Sequence, residues 1–203
     1  MTMIADFWQN VEGYFGESAV NFYRAIVDRA PATGKSLFVE VGCFKGRSSA
    51  AMATMIANSG KSIDFHCVDT WMGSPEQQRG QCAEDLDCIE GRCYDVFTEN
   101  MQRVKDYYRA YRMTSLEASR LHEDGTVDFV FIDADHGYEA VKTDIVSWLP
   151  KLREGAIMAG HDYGHPPVTR AVSEQFGELA QTDCGCWYGE LRGGTLVRIN
   201  ILC

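Results

Sequence analysis

Two segments of the chain combine carboxylates with imidazoles, the residue types that bind metal ions and transfer protons. One is Ile132-Asp133-Ala134-Asp135-His136, and the other is Gly160-His161-Asp162-Tyr163. Each directly follows an apolar stretch that is typical of a buried β-strand. Charged groups at such a position must be hydrated, paired or bound to a metal. We therefore weigh a metal site at these segments against a hydrogen-bonded polar cluster that holds no metal.

A divalent cation is the ligand that these side chains suit best. Because adjacent strands lie ~5 Å apart, Asp133 and Asp162 are expected to reach the same ion. Oxygen ligands favour Mg²⁺, Mn²⁺ or Ca²⁺, and an added imidazole such as that of His161 shifts the preference toward Mn²⁺, Fe²⁺ or Zn²⁺. We take Mg²⁺ as the expected ion.

Two earlier segments indicate a site for an adenosine-like ligand. The first, 40–49, contains the pattern E-x-G-x-x-x-G, in which Gly42 and Gly46 allow a sharp turn and a close approach of backbone to ligand. The pattern is neither the G-x-G-x-x-G of dinucleotide-binding proteins nor a phosphate-binding loop. The second is Asp69, whose carboxylate is suited to accept hydrogen bonds from ribose hydroxyls. For both segments the alternative is a purely structural turn.

These residues fall between short apolar runs and longer helical patterns, an alternation typical of a parallel sheet covered on both faces. The predicted fold is α/β, a Rossmann-like doubly wound sheet that is mostly parallel and closes with an antiparallel hairpin turning at Gly193-Gly194. In such a sheet the ligand lies at the carboxyl ends of the strands. The predicted strands are Ser36–Val41, Ile63–Val68, Ala110–Met113, Val127–Ile132, Ala156–Ala159, Asp183–Leu191 and Thr195–Ile201. The predicted helices are 4–30, Ser48–Ala57, Val96–Arg109, Tyr138–Leu149 and Thr169–Leu179.

The length of 203 residues predicts a single domain. Within it we expect residues 1–34 to form a helical cover and residues 71–95, which are polar and lack periodicity, to form an insert or lid. Trp71, Trp187 and Tyr188 are expected either to wall the acceptor pocket or to pack in the core.

The composition excludes several classes of protein. Hydrophobic residues make up 45% and charged residues 24%, as in ordinary globular proteins, so a disordered chain is excluded. The formal net charge of −10 argues against a nucleic-acid partner, because phosphate binding needs a basic surface. The sequence has neither a signal-peptide pattern nor a membrane-spanning run, so we expect a cytoplasmic protein without a membrane partner. A homo-oligomer is left open.

Cysteines are numerous but do not form the paired C-x-x-C spacing of a structural zinc site. Cys43 and Cys67 lie in apolar stretches, where a thiol behaves as a small hydrophobic side chain. For Cys82, Cys88 and Cys93 a zinc or disulfide cluster is the less favoured alternative to reduced thiols.

Four of these motifs together resemble a known family. Val-Glu-Val-Gly-Cys-Phe-Lys-Gly-Arg-Ser-Ser, Val-Asp-Thr-Trp, Phe-Ile-Asp-Ala-Asp-His-Gly-Tyr-Glu and Leu-Arg-Glu-Gly-Ala-Ile-Met-Ala-Gly-His-Asp-Tyr are similar to motifs of class I S-adenosylmethionine-dependent methyltransferases. The closest similarity is to the small-molecule O-methyltransferase branch, which includes sugar-modifying, caffeoyl-CoA-type and catechol-type enzymes. The resemblance covers about residues 36–176 and implies a seven-stranded sheet.

The resemblance also implies roles for single residues. Glu40, Gly42 and Ser48, with Gly46 in the same turn, would hold the methionine end of the methyl donor, and Asp69 its ribose. Ser115 would lie beside the adenine. Asp133 would serve both the donor and the metal, and Asp162 would be the second metal carboxylate. The chain departs from metal-dependent relatives at His136, where they have a lysine base, and at Tyr163, where they have Asn.

The expected reaction is methylation of a hydroxyl group on a small molecule or a sugar, assisted by the cation. A histidine would accept the hydroxyl proton, and we favour His136 over His161 because of its offset from Asp133. Two alternatives stay open: an NAD-dependent oxidoreductase, and a nucleotide-sugar or cofactor-binding protein without catalysis.

Overall fold

One mixed sheet organises the chain. The computed structural model describes residues 3–75, 78, 86–177, 180–181 and 185–201. Within these residues eight strands form a sheet in the order β3-β2-β1-β4-β5-β7-β6, with β8 also paired to β7. The strands are β1 Ser36–Val41, β2 Ile63–Asp69, β3 Arg109–Arg112, β4 Val127–Ile132, β5 Leu152–Gly160, β6 Ala180–Gln181, β7 Trp187–Arg192 and β8 Thr195–Val197.

The strand directions confirm the predicted fold class. Strands β1 to β5 pair in parallel, whereas β7 runs antiparallel to β5, β6 and β8. Strand β6 pairs with Trp187 and Tyr188, and β8 pairs with residues 190–192, so both lie along the same edge of β7. The sheet is therefore seven strands wide, and its terminal hairpin turns at Gly193-Gly194 as predicted.

Helices cover both faces of the sheet. They are α1 Glu17–Arg29, α2 Arg47–Ser59, α3 Leu86–Ile89, α4 Cys93–Asn100, α5 Ser115–Ser119, α6 Tyr138–Trp148 and α7 Pro166–Phe176. Short 3₁₀ segments occur at Trp8–Asn10, Met101–Tyr107 and Leu149–Lys151. No helix in the described part of the chain has the length and apolar character that a membrane crossing requires.

Alternation along the strands divides the core into two layers. In β4, Phe129 and Phe131 belong to one buried cluster together with side chains of α1 and α2. Val130 and Ile132 belong to a second cluster with side chains of α6 and α7. Because successive side chains of a strand point to opposite faces, an almost continuously apolar strand such as β4 must be buried on both sides.

The N-terminal segment differs from its prediction. Helix α1 begins at Glu17 rather than at residue 4, and the described residues before it contain only a single 3₁₀ turn. Two glycines explain the late start, because Gly13 has a φ of +148° and Gly16 is the extended N-cap. Phe15 is nevertheless buried, so the segment covers the core without being helical.

The bounds of several other helices and strands also differ from the predicted ones. Within the segment 71–95 that we predicted as a loop, the structure contains α3 and the start of α4; residues 76–77 and 79–85 lie outside the described residues. Helix α7 begins at Pro166, since proline is well suited to the first position of a helix. Strand β7 begins at Trp187 and β8 ends at Val197, while residues 183–184 of the predicted strand lie outside the described residues. The cover and lid roles stay predictions.

A buried histidine pair lies between β2 and α5. His66 Nδ1 and His122 Nε2 are 2.9 Å apart, and His122 Nδ1 is 2.8 Å from the carbonyl oxygen of Ala118. We assign the proton of His122 to Nδ1, so that His66 donates to His122 and both rings are neutral. His66 Nε2 lies 3.4 Å from Asp64. Burial nevertheless lowers the pKa of His66 to about 4, because it opposes the charged ring more strongly than Asp64 favours it.

This pair predicts a loss of stability in mild acid. Because the pKa of His66 is about 4 in the folded protein and about 6.5 in the unfolded chain, the unfolded chain binds the proton more readily between these two pH values. The free energy of unfolding is therefore highest above about pH 6.5 and decreases as the pH falls toward 4. A pH titration followed by NMR should show the imidazole of His66 staying neutral down to about pH 4. A midpoint at or above the ordinary histidine value would contradict the assignment.

Candidate active site

The turn after β1 is in direct backbone contact with the end of β4. The amide of Asp133 donates to the carbonyl oxygen of Val41 at 2.7 Å, and the amide of Gly42 donates to Val68 at 2.9 Å. Gly42 has a φ of +89°, and a Cβ at this position would overlap the carbonyl group of Asp133. Only glycine fits here, which explains the first glycine of the E-x-G-x-x-x-G pattern.

The carboxylate of Asp69 ties two turns together. Its Oδ2 accepts hydrogen bonds from the amides of Cys43 and Phe44, at 2.8 and 2.9 Å. Its Oδ1 accepts one from the amide of Trp71 at 2.7 Å. Burial raises the pKa of Asp69 while these amides lower it, with burial the larger effect. Asp69 therefore stabilises the two turns, which is the structural role that we left open for it, and its role in ribose binding stays a prediction.

A cavity of about 540 Å³ opens beside these turns. It lies at the carboxyl ends of β1, β2 and β4 and is closed by α5 and α6. Of the residues predicted to bind the methyl donor, four line it: Gly42, Asp69, Ser115 and Asp133. Trp71 also lines the cavity, while Trp187 packs in the core against Gly160.

Glu40 and Ser48 lie outside the described lining of this cavity. Glu40 is 1% exposed and accepts hydrogen bonds from the hydroxyl groups of Tyr23, at 2.9 Å, and Ser49. Burial raises its pKa to about 7. The buried Ser48 lies close enough to Glu40 to lower the pKa of that carboxyl group, and Gly46, with a φ of +91°, precedes the first turn of α2. These three residues support the turn from its buried side.

All of the charged side chains described around the cavity are acidic. The described lining contains no Lys, Arg or His. The sequence analysis singled out neither Glu139 nor Asp144 on α6, although residues 139, 140, 143 and 144 repeat at helical spacing. The carboxylates are those of Asp69, Asp133, Asp135, Glu139 and Asp144.

Next to the cavity, the ends of β4 and β5 bring together the predicted metal and proton-transfer residues. Asp133, His136 and Asp162 each offer a ligand atom within 4.8 Å of the others, a separation that fits one divalent cation. His136 Nε2 lies 3.1 Å from Asp162 and 3.9 Å from Asp133. His161 Nδ1 lies 3.0 Å from the same Asp162 oxygen and 4.0 Å from Asp133.

The electrostatics of this cluster are those of two carboxylates balanced by imidazoles. Donation to the carboxylates of Asp133 and Asp162 raises the pKa of His136 to about 11. The two histidines hold the pKa of Asp162 well below its usual range. Asp162 also has a φ of +58°, which is uncommon for a residue with a side chain and often marks a functional position.

The cysteines in the described part of the chain do not form a comparable site. Cys43, Cys67 and Glu40 also lie within 4.8 Å of one another, but burial raises the pKa of both thiols and Glu40 is already hydrogen-bonded. Cys88 and Cys93 are buried and line the cavity. Cys82 and Cys184 lie outside the described residues, so the predicted alternative of a zinc or disulfide cluster is not tested.

Comparison with known proteins identifies the family. Residues 39–163 match a family described as a methyltransferase domain, which is more than half of the chain. The chain belongs to this methyltransferase family. An uncharacterized protein, y4gI, of Sinorhizobium fredii is 31% identical over 124 residues, which are 61% of this chain but only 13% of that protein.

Solved methyltransferase structures share the fold. The O-methyltransferase NovP is 17% identical, with a TM-score of 0.64 over 85% of this chain and 79% of its own. An O-methyltransferase from Bacillus cereus, solved in complex with SAH, is 16% identical, with a TM-score of 0.53 over 82% of this chain and 70% of its own. At these identities the likeness shows the fold alone.

The contact between Gly42 and Asp133 predicts a large effect of a single methyl group. Gly42→Ala should strain the backbone by about 1–2 kcal/mol because of its positive φ. It should cost about 1–3 kcal/mol more through overlap with the carbonyl of Asp133. Unfolding in denaturant would measure both costs.

Gly34→Ala is the matched control. Gly34 has a φ of +92°, close to that of Gly42, but has no atom within 4 Å of its Cβ position. It should show the backbone strain alone. Equal destabilisation by the two substitutions would show that the close approach is unimportant.

Proposed function

We propose that the protein transfers the methyl group of S-adenosylmethionine to a hydroxyl oxygen of a small molecule or a sugar, with the help of a divalent cation. The proposal rests on one observation above all: the cavity at the strand ends carries carboxylates and no basic side chain among its described residues. S-adenosylmethionine carries a positively charged sulfonium and an ammonium group, which such a lining attracts.

The same electrostatics oppose the two alternatives. NAD and nucleotide sugars carry a pyrophosphate, which proteins usually bind with basic side chains or glycine-rich helix N-termini. Carboxylates without a basic partner repel such a group. Membership in the methyltransferase family favours the same choice.

Within the cavity, the chain's residues would bind the methyl donor along its length. The ribose hydroxyls would donate to Asp69, whose position is fixed by the amides of Cys43, Phe44 and Trp71. Gly42, which lets the turn after β1 lie against the backbone of Asp133, would fix the edge of the cavity that faces the sulfonium end. Positioning of this kind is the main contribution of an enzyme to an in-line displacement.

Asp133, Asp162 and His136 would hold the cation, which would lower the pKa of the acceptor hydroxyl and fix its direction of attack. This arrangement exchanges the roles that we predicted for the two histidines. His136 forms a group of three possible ligands with Asp133 and Asp162, and its ring must lose its proton before it binds a metal.

His161 would then serve as the base. With Nδ1 donating to Asp162, its Nε2 is the nitrogen that would take the hydroxyl proton. The acceptor oxygen forms its bond to the methyl carbon as the carbon–sulfur bond breaks, and S-adenosylhomocysteine leaves.

Ligand binding tests the choice of methyl donor. Calorimetry should show S-adenosylmethionine and S-adenosylhomocysteine binding, and neither NAD nor a UDP-sugar. Methyl transfer from labelled S-adenosylmethionine to a panel of sugars and catechols, with the position of the label determined by NMR, would identify the acceptor atom. Binding of NAD or UDP-sugars in place of the sulfonium compounds would overturn the proposal.

Removal of one carboxylate tests the cation. Asp162→Asn should weaken Mn²⁺ binding, measured by electron paramagnetic resonance, by about tenfold or more, because a charged ligand becomes neutral. The affinity for S-adenosylhomocysteine should change little.

Asp124→Asn is the control, since Asp124 is an exposed carboxylate at the opposite end of β4, paired with Lys151. Undiminished Mn²⁺ binding by Asp162→Asn, or methyl transfer that survives a chelator in the unmodified protein, would remove the cation from the mechanism.

A further inference from the structure

Asp144 is a buried carboxylate that lines the cavity away from the metal cluster. It lies on the face of α6 that also includes Glu139, Ala140 and Thr143, and it is 7% exposed. Ser115, at the first position of α5, lies beside it and lines the same end of the cavity. Burial of a carboxylate is costly unless donors satisfy it.

Hydrogen bonding leaves Asp144 as an acceptor. The Ser115 hydroxyl accepts a hydrogen bond from Trp148 Nε1 at 2.9 Å, and it lies close enough to Asp144 to lower the pKa of that carboxylate. Because the hydroxyl has one proton, that proton goes to the carboxylate. A carboxylate has about four acceptor positions, so a single hydroxyl leaves capacity for another donor. Burial and the charge of Asp135 raise the pKa of Asp144 to about 6, which agrees with incomplete compensation of its charge.

The position of Asp144 in the cavity indicates which donor it meets. In the proposed function, Asp69 binds the ribose and Asp133 lies at the sulfonium end. Because β3 is separated from β4 by β2 and β1, the residues after β3 (Met113, Thr114 and Ser115) lie on the side of the cavity away from Asp133, and the purine would extend toward them. The exocyclic amine is the strongest hydrogen-bond donor of adenine.

We propose that Asp144 is a specificity-determining residue that accepts a hydrogen bond from the exocyclic amine of the purine. This inference rests on the proposed function. A purine with a carbonyl oxygen at the same place would meet the carboxylate with its own lone pairs and be rejected. Ser115, which Trp148 holds beside Asp144, lines the same end of the cavity.

The test compares two ligands that differ in the amine alone. Calorimetry would measure the affinity of S-adenosylhomocysteine and of its analogue in which hydrogen replaces the exocyclic amine. The unmodified protein should bind the first about tenfold or more tightly than the second, as expected for a hydrogen bond to a charged group. In Asp144→Asn, which keeps the shape of the side chain, the ratio should fall to about threefold or less.

Glu139→Gln is the matched control, because it removes a carboxylate from the same face of α6 and the same cavity. It should keep the ratio of the unmodified protein, whatever it does to the two affinities. An unchanged ratio in Asp144→Asn, or equal affinities for the two ligands in the unmodified protein, would overturn this inference alone. Failure of the unmodified protein to bind either ligand would overturn the proposed function as well.

Discussion

The hydrogen bonds from three backbone amides to Asp69 are the interaction on which the rest of the site depends. They join the turn after β1 to the turn after β2 through one carboxylate. The glycine at 42 then lets the first of these turns lie against the backbone of Asp133. Three parallel strands thus end in one rigid edge, and the cavity is the space that this edge leaves in front of α5 and α6. Because backbone atoms form most of these contacts, the arrangement depends on a carboxylate at 69 and a glycine at 42 far more than on their neighbours.

Negative charge is the second feature that gives the site its character. Acidic side chains converge at the edge of the sheet, and the described lining has no basic residue to balance them. Where carboxylates come closest, at Asp133 and Asp162, two histidines supply the compensation within the protein. Elsewhere in the cavity backbone amides donate to Asp69 and Asp135, and no basic side chain of the described lining neutralises their charge. A protein with a net charge of −10 that concentrates carboxylates in a cavity is suited to a cationic substrate.

The sequence predicts the sheet well because its strands are short apolar runs and its ligand residues follow them directly. Strand β4 and the segment after it, with Asp133 and His136, were identified from that pattern alone. Residues on the strands themselves were harder to assign. Glu40 lies on the same face of β1 as Phe38, toward Tyr23 of α1, and the alternation of strand side chains was the signal that would have directed it to the core.

Other features need three-dimensional information. The spacing of His136 and His161 cannot determine how close each ring comes to the two carboxylates, since that depends on how the turns after β4 and β5 fold. Asp144 lies eleven residues beyond Asp133 and reaches the cavity only because α6 packs against α5. The irregular start of the chain depends on the backbone conformations of Gly13 and Gly16. The spacing of apolar residues gives no information on these conformations.

A crystal structure of the complex with S-adenosylhomocysteine tests the central claim most directly. The account predicts the nucleoside in the cavity between Gly42 and α6, with both ribose hydroxyls within hydrogen-bonding distance of Asp69 and the amides of Cys43 and Phe44 still bonded to that carboxylate. A nucleoside bound outside this cavity, or a ribose that does not contact Asp69, would contradict it.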